Sequence, residues 1–260
     1  MSEIFNAQDL SWSINNKLIL DRLNFVVSEN EFVGLIGPNG AGKSSLIRCL
    51  YRKTDVSSGS LSFISKPIAS YNRREFAQKV AVVLQEPLTE LELSVYEIIR
   101  AGLTPHKSLL AFDDQNDHEQ ILQAAKRVDL SNHLHQAFSS LSGGEKQRAM
   151  IARSLVQKPK VLLLDEPTHH LDVRHQAEVL QLAKSLNKTL VVSIHDLNLA
   201  AAYCDRLILL NEGSIVASGR PKDVLTTDNL KQVFGVESII DQHPFHGGLR
   251  ITFNQGDSSV

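Results

Sequence analysis

Gly37-Pro38-Asn39-Gly40-Ala41-Gly42-Lys43-Ser44 constrains this chain more than any other stretch. It has glycine, four residues, then Gly-Lys-Ser. An apolar strand-like run, Glu31 to Ile36, precedes it, and a helix-like run, Ser45 to Tyr51, follows. Glycines let consecutive backbone N–H groups curl into an anion nest around phosphate oxygens. The helix adds its positive N-terminal dipole, Lys43 a point charge, and Ser44 a hydroxyl for Mg²⁺. With glycine near 7% of residues, a chance match in a chain this long is on the order of one in a hundred. A ligand-free glycine turn is the bland alternative, and the strand–loop–helix setting favours a nucleotide.

A metal-bound nucleotide needs a carboxylate from a neighbouring strand, and Val161-Leu162-Leu163-Leu164-Asp165-Glu166 supplies one. Four aliphatics in a row read as a central strand buried on both faces. Asp165 falls at its C-terminal end, where open α/β sheets bind ligands. Side chains alternate along a strand, so the two acids take separate roles: Asp165 in the Mg²⁺ shell, Glu166 as the base on the attacking water.

The remaining pattern agrees with an α/β core. Short strands are predicted at residues 4–7, 10–12, 17–20, 23–27, 31–36, 61–64 and 80–84, with helical periodicity over 95–137 interrupted by a polar surface loop at Asp113 to Asp117. From Ser142 the order is helix, strand, helix, strand, which makes a parallel sheet. Residues 206–220 read as a hairpin turning at Asn211-Glu212-Gly213, and the tail from 236 is weakly patterned. No apolar run approaches the ~18 residues of a membrane span, and the first residues do not resemble a secretion signal. The net charge of −2 speaks against a nucleic-acid partner. Cys49 and Cys204 fit a reducing compartment as small buried hydrophobes.

Leu141-Ser142-Gly143-Gly144-Glu145-Lys146-Gln147-Arg148 narrows the reading further. Locally it is a helix start, with Ser142 as N-cap and Glu145 as its capping-box partner. In a chain that also carries the phosphate loop and Asp165-Glu166, it resembles the signature of the nucleotide-binding subunits of ATP-binding-cassette (ABC) transporters. The resemblance covers roughly residues 3–235. It implies an α/β P-loop NTPase core with a mostly parallel sheet, an antiparallel β subdomain and an inserted helical subdomain. The whole chain would be one such domain, with residues 86–157 as the insert and 236–260 as a tail.

Residue by residue, the resemblance implies that Gly37, Pro38, Asn39, Gly40, Ala41, Gly42, Lys43, Ser44 and Ser45 cradle ATP, and that Trp12 stacks on adenine. Ser44, Gln85 and Asp165 would hold Mg²⁺. Lys43, Gln85, Glu166 and His195 would be catalytic, with Gln85 near the water and His195 on the γ-phosphate. Ser142, Gly143 and Gly144 would meet the γ-phosphate held by a second copy in a head-to-tail homodimer, and Asp172 would lie in the loop that crosses between copies. Two departures stand out: Glu145 where glutamine is common, and His169-His170-Leu171-Asp172 in place of Ser-Ala-Leu-Asp. Neither removes a phosphate ligand or the base.

The stretches Leu93 to Gly102 with Thr104-Pro105-His106, and Glu166 to Gln176, resemble the importer class that serves ferric siderophores, haem and cobalamin. That class implies a separate transmembrane permease dimer, an extracytoplasmic substrate-binding protein acting indirectly, and a peripheral position on the cytoplasmic face of the bacterial inner membrane. The alternatives are a soluble ABC ATPase acting on ribosomes or DNA, or the ATPase of another ABC transporter. A zinc site would need three or four converging ligands, and the histidines at 169, 170 and 175, at 133 and 135, and at 243 and 246 do not spell one.

Overall fold

The computed structural model describes residues 2–84, 92–108, 112–245 and 247–254. In chain order the elements are β1 (Glu3–Ile14), β2 (Lys17–Ser28), β3 (Phe32–Ile36), α1 (Lys43–Leu50), β4 (Ser58–Phe63) and β5 (Lys66–Pro67). Next come α2 (Arg73–Ala77), β6 (Val80–Val83), α3 (Val95–Arg100), α4 (Gln115–Arg127), α5 (Gly143–Val156), β7 (Val161–Leu164) and α6 (Val173–Ser185). The chain ends with β8 (Thr189–Ser193), α7 (Leu197–Tyr203), β9 (Arg206–Asn211), β10 (Ser214–Gly219), α8 (Pro221–Val224), α9 (Thr227–Phe234), β11 (Ser238–Gln242) and β12 (Leu249–Phe253). Two compact units divide these: residues 1–70 with 189–260, and residues 71–188.

In the first unit, β2, β1, β4 and β5 form an antiparallel sheet. A second sheet has β3 parallel to both β8 and β9, with β10 closing antiparallel on β9. Every residue of β3 and β8 is buried, which is why these segments read as continuous apolar runs and not as alternation. Gly34 lets the chain pass close by: a Cβ there would lie 2.7 Å from Cys204 Sγ and 2.7 Å from Leu207 Cδ2. Both cysteines are buried, and burial pushes the Cys49 thiol up.

Four predicted strands prove to be two. Residues 4–7 and 10–12 are one strand, as are 17–20 and 23–27. Asp9 and Arg22 take φ values of 47° and 45° and shift the register without ending the pairing. A β-bulge of this kind kinks a strand and looks, in sequence, like a turn.

In the second unit β6 and β7 pair in parallel, with helices α2 to α6 in the same unit. The helical stretch predicted over 95–137 breaks earlier than the loop predicted at 113–117, where Asp114 instead caps α4. After α3 the chain tightens into a 3₁₀ turn, Ala101–His106, that contains Pro105. A bridge also joins Ser94 to Ala137. Among the described residues no helix is long and apolar enough to cross a membrane.

Candidate functional site

The phosphate loop leaves β3 and runs into α1 within the first unit. Gly37 has φ 144°, and a Cβ there would come within 2.1 Å of Leu210 O, so the strand exit tolerates no side chain. Gly42 is the N-cap of α1 with φ 104°, and it offers no capping side chain. Every other described α-helix of five or more residues has a side-chain cap: Asn72, Ser94, Asp114, Ser142, Asp172, Asp196 and Thr226. The first turn of α1 also lacks an acidic residue. A helix start with no capping side chain and no acid in its first turn presents its positive dipole end, the kind of end that favours an anion.

Lys43 is buried, and its Nζ donates to Gly37 O at 2.7 Å and to Pro38 O at 3.0 Å. Its charge is therefore held over the loop's own carbonyls. Asn39 and Gly40 are exposed, Pro38, Ser44 and Ser45 half-buried, and Ala41 buried. The loop is braced from the side by Gly213, whose N–H donates to Ala41 O at 3.1 Å.

Trp12 is 8% exposed, paired in β1 with Leu20 of β2. Leu20 in turn packs where a Cβ on Gly42 would stand, 2.7 Å away. The indole is therefore largely inside the protein, and it is the paired Leu20 that reaches the loop. The exposed apolar carbon at that end of the hairpin belongs to Ile14 and Leu18, 49% and 51% exposed, two residues that sequence reasoning passed over. His195 is exposed, between the end of β8 and the start of α7.

In the second unit Asp165 is buried, and its N–H donates to Val83 O at 2.9 Å, extending the β6–β7 ladder by one residue. Glu166 then takes φ 51°. The two acids are thus separated by a left-handed step, not by the strand alternation expected from sequence. A non-glycine residue held there costs on the order of 1–3 kcal/mol and is commonest at functional sites. Gln85 lies outside the described residues.

Ser142 caps α5 as predicted. Its N–H and Oγ both donate to Glu145 Oε2, at 2.8 and 2.7 Å, and Glu145 N–H donates back to Ser142 Oγ at 3.4 Å. Those bonds, the side-chain one foremost, hold the Glu145 carboxyl below its usual range. Ser142 and Gly143 are exposed, whereas Gly144 is buried. Asp172 caps α6: its Oδ1 accepts from His175 N–H and its Oδ2 faces His175 Nδ1, both at 2.9 Å. The His175 backbone bond, then the side-chain one, lowers the Asp172 carboxyl as well.

The second unit brings these two segments together. A Cβ on Gly143 would meet Leu171 Cδ2 at 3.2 Å, and one on Gly144 would meet the His175 ring at 2.9 Å. His175, inside the stretch that resembles the importer class, is a supporting residue to which sequence reasoning gave no role at the signature. The rings of His169 and His170 lie 3.7 Å apart between centroids. Among the described residues no cluster of three His, Cys, Asp or Glu side chains forms.

An uncapped helix behind a glycine loop, with a buried lysine over it, defines a nucleotide-binding α/β protein of the phosphate-loop class. The chain belongs to the ABC transporter family, whose model matches residues 20–169. The chemistry of that family's ATP-binding subunits is ATP hydrolysis. This chain is 38% identical over 253 residues to the hemin import ATP-binding protein HmuV of Bordetella avium, covering 93% of this chain and 96% of the relative. It is also 38% identical over 260 residues to the petrobactin import ATP-binding protein FpuC of Bacillus anthracis, covering 97% and 96%. Among solved structures it is similar to cbiO1 from Clostridium perfringens, part of the ABC transporter complex cbiONQ. That match has a TM-score of 0.78 and 28% identity, covering 89% of this chain and 94% of the other.

Proposed function

We propose that this chain is the ATP-hydrolysing subunit of a bacterial import complex for an iron chelate or haem, with cobalamin as the remaining cargo of that class. The observation that carries the chemistry is the glycine-capped start of α1, with no acid in its first turn and with Lys43 buried against the loop. The phosphate tail of ATP takes loop N–H groups of residues 39–45, and the base rests at the hairpin end carrying Trp12, Ile14 and Leu18. The support for uptake is the pair of import ATP-binding relatives, each matched over nearly its whole length.

Mg²⁺ fits the donor set, because the Ser44 hydroxyl and the buried Asp165 carboxylate are hard oxygen ligands of the kind it prefers. Gln85 would add a third. When bound, the ion neutralises charge on the β- and γ-phosphates. Glu166 takes a proton from the attacking water as its oxygen bonds to the γ-phosphorus. The bond to the β–γ bridging oxygen breaks, and Lys43 and His195 stabilise the charge on the leaving and transferred groups.

Ser142, Gly143 and Gly144, with Asp172, serve the nucleotide of a second copy, so each site is complete only in a closed head-to-tail pair. A transmembrane permease dimer holds this pair peripherally on the cytoplasmic face of the membrane, and a substrate-binding protein outside delivers the cargo. Glu166→Gln should retain ATP while hydrolysing it at least about 100-fold more slowly; an unchanged rate sinks the assignment. Mild-detergent capture of the tagged chain from its own membranes should bring a polytopic permease. Ribosomal or DNA-bound partners in its place would overturn the import reading.

A further inference from the structure

His195 stands between two backbone anchors. Upstream, Ile194 N–H donates to Leu35 O at 3.0 Å, fixing the end of β8 on β3. Downstream, Asp196 caps α7, its Oδ1 accepting from Asn198 N–H at 2.8 Å and Leu199 N–H at 3.0 Å. That helix has only seven residues. A segment so short does not hold itself in water and takes its position from tertiary contacts. Leu197 and Ala200 supply a buried footing.

A further contact comes from the far end of the chain. Asn198 Nδ2 donates to Ile251 O at 3.1 Å, and Asn198 Oδ1 accepts from Ile251 N–H at 2.8 Å. The side-chain amide thus imitates a peptide unit and pairs with the outer edge of β12 as a neighbouring strand would. The hairpin behind it is well made. Ile240 faces Ile251, Arg250 pairs with Asp241, Asn254 N–H reaches Glu237 O at 2.9 Å, and Lys231 of α9 meets Glu237 at 2.6 Å. Ile251 itself is buried.

We propose that Asn198 is a positioning residue for ATP hydrolysis: through its two-pronged bond the β11–β12 hairpin fixes the first turn of α7 and so the placement of His195. This rests on the reading of His195 as the group that meets the terminal phosphate. Asn198 touches no substrate. It acts through Asp196 and the helix start, where a small displacement of a catalytic group is costly. The hairpin is on this account a part of the catalytic machinery and not only an appended stabiliser.

The test uses the full chain and compares Asn198→Ala, Asn198→Asp, Arg250→Ala and His195→Ala. The readouts are kcat, KM and the affinity for a non-hydrolysable ATP analogue relative to ADP, which lacks the terminal phosphate. His195→Ala should lose at least about 10-fold in turnover and most of the preference for the analogue. Asn198→Ala should lose about 3- to 10-fold in both, with ADP affinity unchanged. Asn198→Asp keeps the acceptor for Ile251 N–H but loses the donor, and falls between. Arg250→Ala, on the same strand, should leave the analogue-to-ADP ratio unchanged. The proposal is overturned if Asn198→Ala matches Arg250→Ala in that ratio while His195→Ala lowers it. A ratio and turnover unmoved by His195→Ala would overturn the reading of His195 itself, and the proposal with it.

Discussion

Helices α1 and α5 begin in opposite ways. At α1 the cap is a glycine without a side chain, the first turn has no acid, and a buried lysine lies over the loop's carbonyls. At α5 the cap closes on itself, because Ser142 and Glu145 exchange hydrogen bonds and a carboxylate occupies the first turn. One helix start has neither a side-chain cap nor an acid in its first turn; the other has both, and its cap is exposed. A helix N-terminus is therefore not an anion site by default. What the chain places there decides whether the helix start is held by its own side chains, as at α5, or by the loop that leads into it, as at α1.

The sharpest way to break that contrast is to remove the charge at α1. Lys43→Ala should lower ATP turnover by about 100- to 1000-fold, as loss of one preorganised donor does, and a steady-state phosphate-release assay reads it. Turnover within threefold of wild type would mean that the loop does not work as described.

Next in size is the rigidity of the two turns. Gly37→Ala puts a methyl 2.1 Å from Leu210 O at a left-handed φ, and should cost about 3 kcal/mol in urea unfolding. Gly143→Ala meets only Leu171 Cδ2 at 3.2 Å and should stay within about 0.5 kcal/mol. Equal costs would erase the distinction between a braced loop and a surface turn.

These two starts also differ in how far sequence alone reveals them. The phosphate loop and the Ser142–Glu145 box are local, so residue type and spacing suffice to find both. The uncapped character of α1 is equally local once Gly42 is placed at the N-cap. What escaped was set by distant partners. How far Trp12 is buried is not local, since it depends on the antiparallel sheet in which it pairs with Leu20. Residues 236–254 show little periodicity, since their half-exposed strands draw part of their order from Asn198, some fifty positions upstream. His175 lies in a stretch that resembles the importer class, but its role appears only in the packing of Gly144 against its ring and in its bonds to Asp172. The bulges at Asp9 and Arg22 mimic turns because a left-handed residue has the same local signature in either setting.

Smaller effects probe α5 directly. Ser142→Ala removes the cap and should cost about 1 kcal/mol, measured by urea unfolding, and hydrogen exchange should rise at the first-turn amides of α5 and not of α1.

The smallest effect is in pH. Glu145 is held below the ordinary glutamate pKa of about 4.3. Its contribution to the α5 cap is therefore complete above that value and is lost as pH falls through the lowered one. Glu145→Gln keeps the box geometry and should shift stability at neutral pH by less than about 0.5 kcal/mol. It should also flatten the acid limb of the curve. An acid limb identical to wild type would assign that pH dependence to other carboxylates.

The close approach at Gly34 has a consequence for timing. Cys204, at the C-terminal end of α7, sits within van der Waals reach of the β3 backbone, so an alkylating reagent reaches its sulfur only when that helix lifts away. The second thiol, Cys49 in α1, is shielded independently. The labelling rate of one against the other is a clock already wired into the chain. It reports how often the segment carrying His195 opens while the phosphate loop stays closed, and how much nucleotide slows it.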